Sequence, residues 1–174
     1  MLIAIHESIP SRPLPSPVNL ELITVEINFD CPLLLCIVYL PPNSPPAYFD
    51  EVITYLDSIA STSCIILLGN FSLPDICWPS FTGSSPVSKA FCDFAFHHNL
   101  IQHVHFPTHC RGGILDLVFS TTEDLVHDLS VFPSDILHSD HLLLPFAIPT
   151  VSHPFVEKPS LPLSSFDLKS ADLA

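Results

Sequence analysis

Residues 33–71 read LLLCIVYLPPNSPPAYFDEVITYLDSIASTSCIILLGNF, and this stretch decides the fold class. Leu33 to Tyr39 is continuously apolar, as a strand buried on both faces must be. Cys64 to Leu68 repeats that character, and Gly69 is expected to end it. Between the two, PPNSPP reads as a loop and a helix start, with Ser44 able to cap and Pro45 suited to the first helical position. A helix is expected from Ala47 to Ala60. Tyr48, Val52, Tyr55, Leu56 and Ile59 form its apolar stripe, and Asp50, Glu51 and Asp57 lie away from it. Buried strands alternating with a helix predict helices that cover sheets, the α/β or α+β class.

The pattern extends in both directions. Upstream, Glu21 to Asn28 alternates, with Ile23, Val25 and Ile27 on one face of a half-buried strand. Leu2 to His6 is a further short strand candidate, and residues 11–17, SRPLPSP, read as a Pro-rich loop. Downstream, residues 72–86 form a long loop. Lys89 to His98 is a helix with Phe91, Phe94 and Ala95 on one face, and the Phe stripe in 91–96 reads as core. Leu100 to Val104, Ile114 to Ser120, Leu129 to Phe132 and Leu142 to Ile148 are the remaining strands, the second of them preceded by the turn Gly112-Gly113. After Pro149 the chain turns Pro- and Ser-rich. Residues 1–149 are therefore expected to be one domain and residues 150–174 a linker.

Composition narrows the function. Of 174 residues, 48% are hydrophobic and 13% charged, with a mean hydropathy of +0.46, which speaks against disorder. The longest apolar run, Leu33 to Leu40, is far short of the roughly 20 residues a spanning helix needs, so no membrane partner is expected. The start, MLIAIHESIP, lacks the basic segment of a signal peptide. The formal charge is −13, with only Arg12, Lys89, Arg111, Lys158 and Lys169 as fixed cations. Strong independent DNA binding, which neutralises phosphates with Lys and Arg, is not expected. Six cysteines show no CxxC pair and no disulfide framework, which points to a reducing, intracellular setting, cytoplasm or nucleus.

Four places at strand ends could carry chemistry, where a rigid scaffold positions loops. They are Tyr39 in VYLPP, the segment Gly69-Asn70-Phe71-Ser72, Asp116 within ILDLVFS, and Ser139-Asp140-His141. A carboxylate between Leu115 and Leu117 needs a partner if buried. His141 is the candidate, because a carboxylate fixes an imidazole's tautomer and orientation.

In order, VYLPP, CIILLGNF, PTH, ILDLVFS and HSDH resemble the endonuclease/exonuclease/phosphatase superfamily, and within it the endonuclease domain of non-LTR retrotransposons. The loop LPDICW and the segment NLIQHV resemble the same branch, and the likeness runs from about Leu2 to Ile148. The resemblance implies an α+β fold with α/β-type layers: a partial four-layer αββα sandwich, two packed sheets flanked by helices, without the first strands. It implies phosphodiester hydrolysis on DNA with Mg²⁺, and a linker leading toward a reverse transcriptase. Carried over, Tyr39 would contact the scissile phosphate, Asp116 would orient His141, His141 would stabilise the transition state, and Asp140 would help hold the metal and water.

This chain departs from the family pattern at its centre. The family aspartate of GDFN is Asn70 here, and its asparagine is Ser72. An amide cannot act as a base toward water, and it offers a metal a neutral oxygen. The chain also begins at a segment that follows the family's early metal-binding Glu, so that ligand is expected to be missing and Mg²⁺ to be weakly bound or absent. The expectation is a catalytically impaired endonuclease remnant. Two rivals stand beside it. One is a non-catalytic interaction protein that self-associates through an uncovered sheet. The other is a zinc module built from His97, His98, His103, His105, His109 and Cys110.

Overall fold

The computed structural model describes residues 1–29, 32–61, 64–133 and 139–149, so the expected linker lies outside the described residues. Six strands and two helices make the framework: β1 (Ser11–Leu14), β2 (Leu22–Ile27), β3 (Leu33–Tyr39), α1 (Pro46–Ala60), β4 (Cys64–Asn70), α2 (Pro86–His97), β5 (Ile101–Gln102) and β6 (Asp116–Ser120). The strands form one mixed sheet in the order β1-β2-β3-β4-β6-β5. Only β3 and β4 run parallel, joined by α1 as parallel neighbours require; the other pairs are antiparallel.

Alternation along the strands divides the core in two. Leu34, Cys36 and Val38 of β3, Ile65 and Leu67 of β4, and Leu117 and Phe119 of β6 face the helices. There they meet Phe49, Val52 and Leu56 of α1 and Phe91, Phe94 and Ala95 of α2. Leu33, Ile66 and Val118 face the other way, toward Val104, Val126, Leu129, Leu144 and Phe146. Both faces are thus covered, which is why β3 and β4 read as unbroken apolar runs. Burial pushes the Cys36 thiol up to about 11, as expected of a buried thiol without reactive character.

Several elements differ from the sequence expectation. Leu2 to His6 forms no strand. The stretch expected to be a Pro-rich loop instead supplies β1, which sits at the sheet edge where Pro13 costs no internal ladder bond. β2 buries residues on both faces and is not half-exposed. Helix α1 starts at Pro46 with Pro45 as its N-cap residue; the Ser44 hydroxyl donates to the Pro41 carbonyl, and no side chain accepts from the first helical N–H groups. Helix α2 starts earlier than Lys89, capped by Ser85, whose hydroxyl accepts from the Ser88 N–H. Phe96 leaves the core stripe and is 82% exposed.

Strand β4 does not stop at Gly69; it runs on to Asn70, which pairs with Tyr39. Strands β5 and β6 are shorter than expected. In place of the last two strands, His127 pairs with Ala147 and Phe132 with Leu143 as isolated bridges. Pro145, which has no N–H to give, interrupts that ladder and only accepts, from the Ser130 N–H. Trp78 packs in the loop before α2, 6.1 Å from the Phe119 ring and 5.9 Å from Phe81.

Candidate active site

Register brings three of the expected residues to one end of the sheet. Tyr39 pairs with Asn70, and Asn70 pairs with Asp116. Each sits at an even spacing from residues of the second core (Leu33, Ile66 and Val118), so all three belong to the face opposite the helices. They border a cavity of about 400 Å³ whose other wall includes Leu142 and Phe146.

Asp116 is held from behind. The fully buried Thr108 accepts the Leu115 and Asp116 N–H groups on its hydroxyl oxygen, each at 3.0 Å. The Asp116 carboxylate faces His141, with Oδ2 2.7 Å from Nδ1. A carboxylate only accepts, so Nδ1 is assigned the proton and Nε2 points away from the pair. His141 is fixed in turn by its own turn, where its N–H donates to the Ser139 hydroxyl at 3.1 Å.

The remaining expected residues are placed differently. Ser72 has φ of 45°, and both its N–H and its hydroxyl donate to Asn70 Oδ1, at 3.0 and 3.1 Å. It turns back on Asn70 and does not reach past it. Asp140 is exposed and meets His109, Nε2 to Oδ2 at 3.0 Å. That hydrogen bond holds the Asp140 carboxyl below the usual range.

His109 and Thr108 were not among the residues expected at the site. His109 pairs with His141 through the backbone, flanked by Cys110 N–H to Asp140 carbonyl at 2.9 Å and Leu142 N–H to Thr108 carbonyl at 2.8 Å. The two imidazole rings lie 5.1 Å apart at 86°. The triplet PTH carried the signal, but its partner is some thirty residues away, and nothing local announces that pairing.

The zinc set expected from residues 97–110 is not brought together. His98 reaches Asp57 at 2.7 Å, joining the two helices, and His103 reaches the Ser120 hydroxyl at 2.7 Å on β6. Among the described residues, His109, Asp140 and His141 form the one group of three whose ligating atoms lie within 4.8 Å of one another.

No curated protein sequence matches this chain. The endonuclease domain of TRAS1, a telomere-specific non-LTR retrotransposon, is similar in structure, with a TM-score of 0.64 and 17% identity over 82% of this chain and 68% of that one. An endonuclease/exonuclease/phosphatase family protein from Leptotrichia buccalis C-1013-b gives a TM-score of 0.52 and 16% identity, covering 74% of this chain and 52% of that one. At such identities these likenesses show the fold. Residues 33–144, more than half of the chain and spanning every strand from β3 to β6, match the family described as endonuclease–reverse transcriptase. The chain belongs to that family, within the endonuclease/exonuclease/phosphatase superfamily.

Proposed function

We propose that this chain carries the phosphate-handling part of a retrotransposon-type DNA endonuclease site and that its hydrolysis is impaired by Asn70 and Ser72. The Asp116–His141 pair at 2.7 Å, on the same sheet face as Tyr39 and Asn70, carries the reading. Asp116 holds the His141 proton on Nδ1 and fixes the ring's orientation, so His141 can be positioned toward charge that develops on a phosphate oxygen. The Tyr39 hydroxyl is suited to a second phosphate oxygen. Asn70 stands between them in register, where a base toward the attacking water belongs. Its amide takes no proton at neutral pH, and a missing general base costs a factor of about 10² to 10⁴.

The Mg²⁺ that the family implies meets an ill-suited donor set. Mg²⁺ takes oxygen ligands in near-octahedral array, with one or two carboxylates among them. Here Asp116 and Asp140 each turn an oxygen to an imidazole, and Asn70 Oδ1 is neutral and already accepts two hydrogen bonds from Ser72. The roles above therefore belong to side chains alone. A non-catalytic role is favoured by one observation: a net charge of −13 works against holding DNA.

Nicking of supercoiled plasmid with Mg²⁺ supplied tests the reading. Asn70→Asp is expected to nick about 10²-fold faster than the unsubstituted chain. His141→Ala added to Asn70→Asp is expected to remove the gain. Nicking by the unsubstituted chain that needs His141 and does not rise in Asn70→Asp overturns the impairment. No nicking by any folded variant favours the non-catalytic role.

A further inference from the structure

We propose that His109, Asp140 and His141 form a site for a divalent late transition-metal ion of the Zn²⁺ type, a set of two imidazoles and one carboxylate. The three ligating atoms lie within 4.8 Å of one another. A tetrahedral ion with Zn–N and Zn–O distances near 2.0–2.1 Å separates its ligand atoms by about 3.3 Å. His109 Nε2 and Asp140 Oδ2, at 3.0 Å, already have nearly that spacing. To complete the set, the His141 ligand atom must close from within 4.8 Å to about 3.3 Å of the other two. The backbone holds the ligands together whether or not an ion is present, because residues 108–110 and 140–142 are cross-bonded through Cys110, Asp140, Leu142 and Thr108.

A second feature is typical of metal-binding histidines. Their other ring nitrogen donates to a carboxylate, which fixes the tautomer and raises ligand basicity. Asp116 does this to His141 Nδ1, leaving Nε2 to face the ion. Two imidazoles and a carboxylate suit Zn²⁺ and its first-row neighbours and do not suit Mg²⁺. A plain surface ion pair explains less. His109–Asp140 alone would serve, with Asp140 60% exposed, and such pairs contribute little. It gives no reason for a second, carboxylate-buttressed histidine beside it. Binding at His109 Nε2 moves that ring's proton to Nδ1, so the 3.1 Å contact from the Arg111 N–H to Nδ1 must give way. The Arg111 amide thus reports occupancy.

The test uses the full, reduced chain and Co²⁺ alone as the probe, followed by visible absorption and competed by Zn²⁺. The expected result is saturation at one Co²⁺ per chain, displacement by one equivalent of Zn²⁺, and a shift of the Arg111 amide resonance. His109→Ala and His141→Ala are each expected to lose stoichiometric binding, and Asp116→Asn to weaken it about 10- to 100-fold. Cys110→Ser and His103→Ala are expected to bind as the parent does. If His109→Ala fails to fold by circular dichroism, His109→Gln, which keeps a donor to Asp140, replaces it. Undiminished binding in the folded His109 variant overturns the site, as does no stoichiometric binding by the folded parent. An intense sulfur-to-cobalt band would place Cys110 in the shell and also overturn the proposed donor set. Absorption reads this site and nicking reads the hydrolytic one, so either proposal can fail alone.

Discussion

Replacing Gly69 by Ala is expected to damage this protein more than any other single methyl group added to a described glycine. Gly69 has φ of +153°, and a Cβ built on it lies 1.8 Å from the Val38 carbonyl oxygen and 2.8 Å from the Val38 carbonyl carbon. Both are backbone atoms that no rotamer change can move. Relief requires β3 and β4 to separate by more than about 1 Å where Val38 pairs with Gly69, since non-bonded heavy atoms settle near 3.5 Å. The unfavourable backbone region costs about 1–3 kcal/mol. Losing a buried ladder bond there, such as Leu40 N–H to Asn70 carbonyl at 2.8 Å, adds about 1–3 kcal/mol. The sum, about 2–6 kcal/mol, is a large share of the 5–15 kcal/mol by which a domain is stable. Urea unfolding followed by circular dichroism should show a midpoint lowered by about 2 M, taking a slope near 2 kcal/mol per molar. Gly113→Ala is the control, because its Cβ would meet only Leu115 side-chain atoms at 3.5 and 3.8 Å. A Gly69→Ala protein within 1 kcal/mol of the parent would refute the close-approach argument.

Other outcomes follow from the same geometry. Asp75 accepts from the Ser84 and Ser85 N–H groups and from the Ser84 and Ser88 hydroxyls, and these bonds hold its carboxyl well below the usual range. A depressed folded-state pKa stabilises above the unfolded value near 3.9 and is lost as pH falls below it. The urea midpoint should therefore drop on acidification from pH 5 toward pH 2, and Asp75→Asn should flatten part of that slope. Thr108→Val leaves the Leu115 and Asp116 N–H groups without their acceptor and should cost about 2–4 kcal/mol in urea, whereas Thr108→Ser should stay within 1 kcal/mol of the parent.

The readable parts of the sequence were those fixed by burial along one strand. Strand β3 was legible to the residue because both its faces are covered, and β4 was legible from Cys64 because the residues that follow it, Ile65 to Leu67, are buried, although Cys64 itself is exposed. The pairing of Asp116 with His141 was also legible, from a charge set between two leucines and one histidine next to a strand. What failed depended on partners distant in sequence. Ser44 looked like a cap but bonds Pro41, a choice set by the turn geometry. β1 is a strand because β2 offers it an edge, Pro13 opposite Val25, and its own composition gives no sign of this. His109 joined the site through a bridge to His141, whereas its neighbours in sequence, His98 and His103, went to Asp57 and Ser120.

The packing of Trp78 has a practical consequence. It is the chain's single tryptophan, and it rests against Phe119 on the helix side of β6, the strand that carries Asp116 on its opposite face. Its fluorescence is therefore an intrinsic optical gauge of that strand, separated from the Asp116 side by the thickness of the sheet. An ion or phosphate taken up at His141 should leave the emission nearly unchanged. Loss of β6 packing should shift it at once. One cuvette can thus distinguish a variant that has lost its ligand from one that has lost its fold.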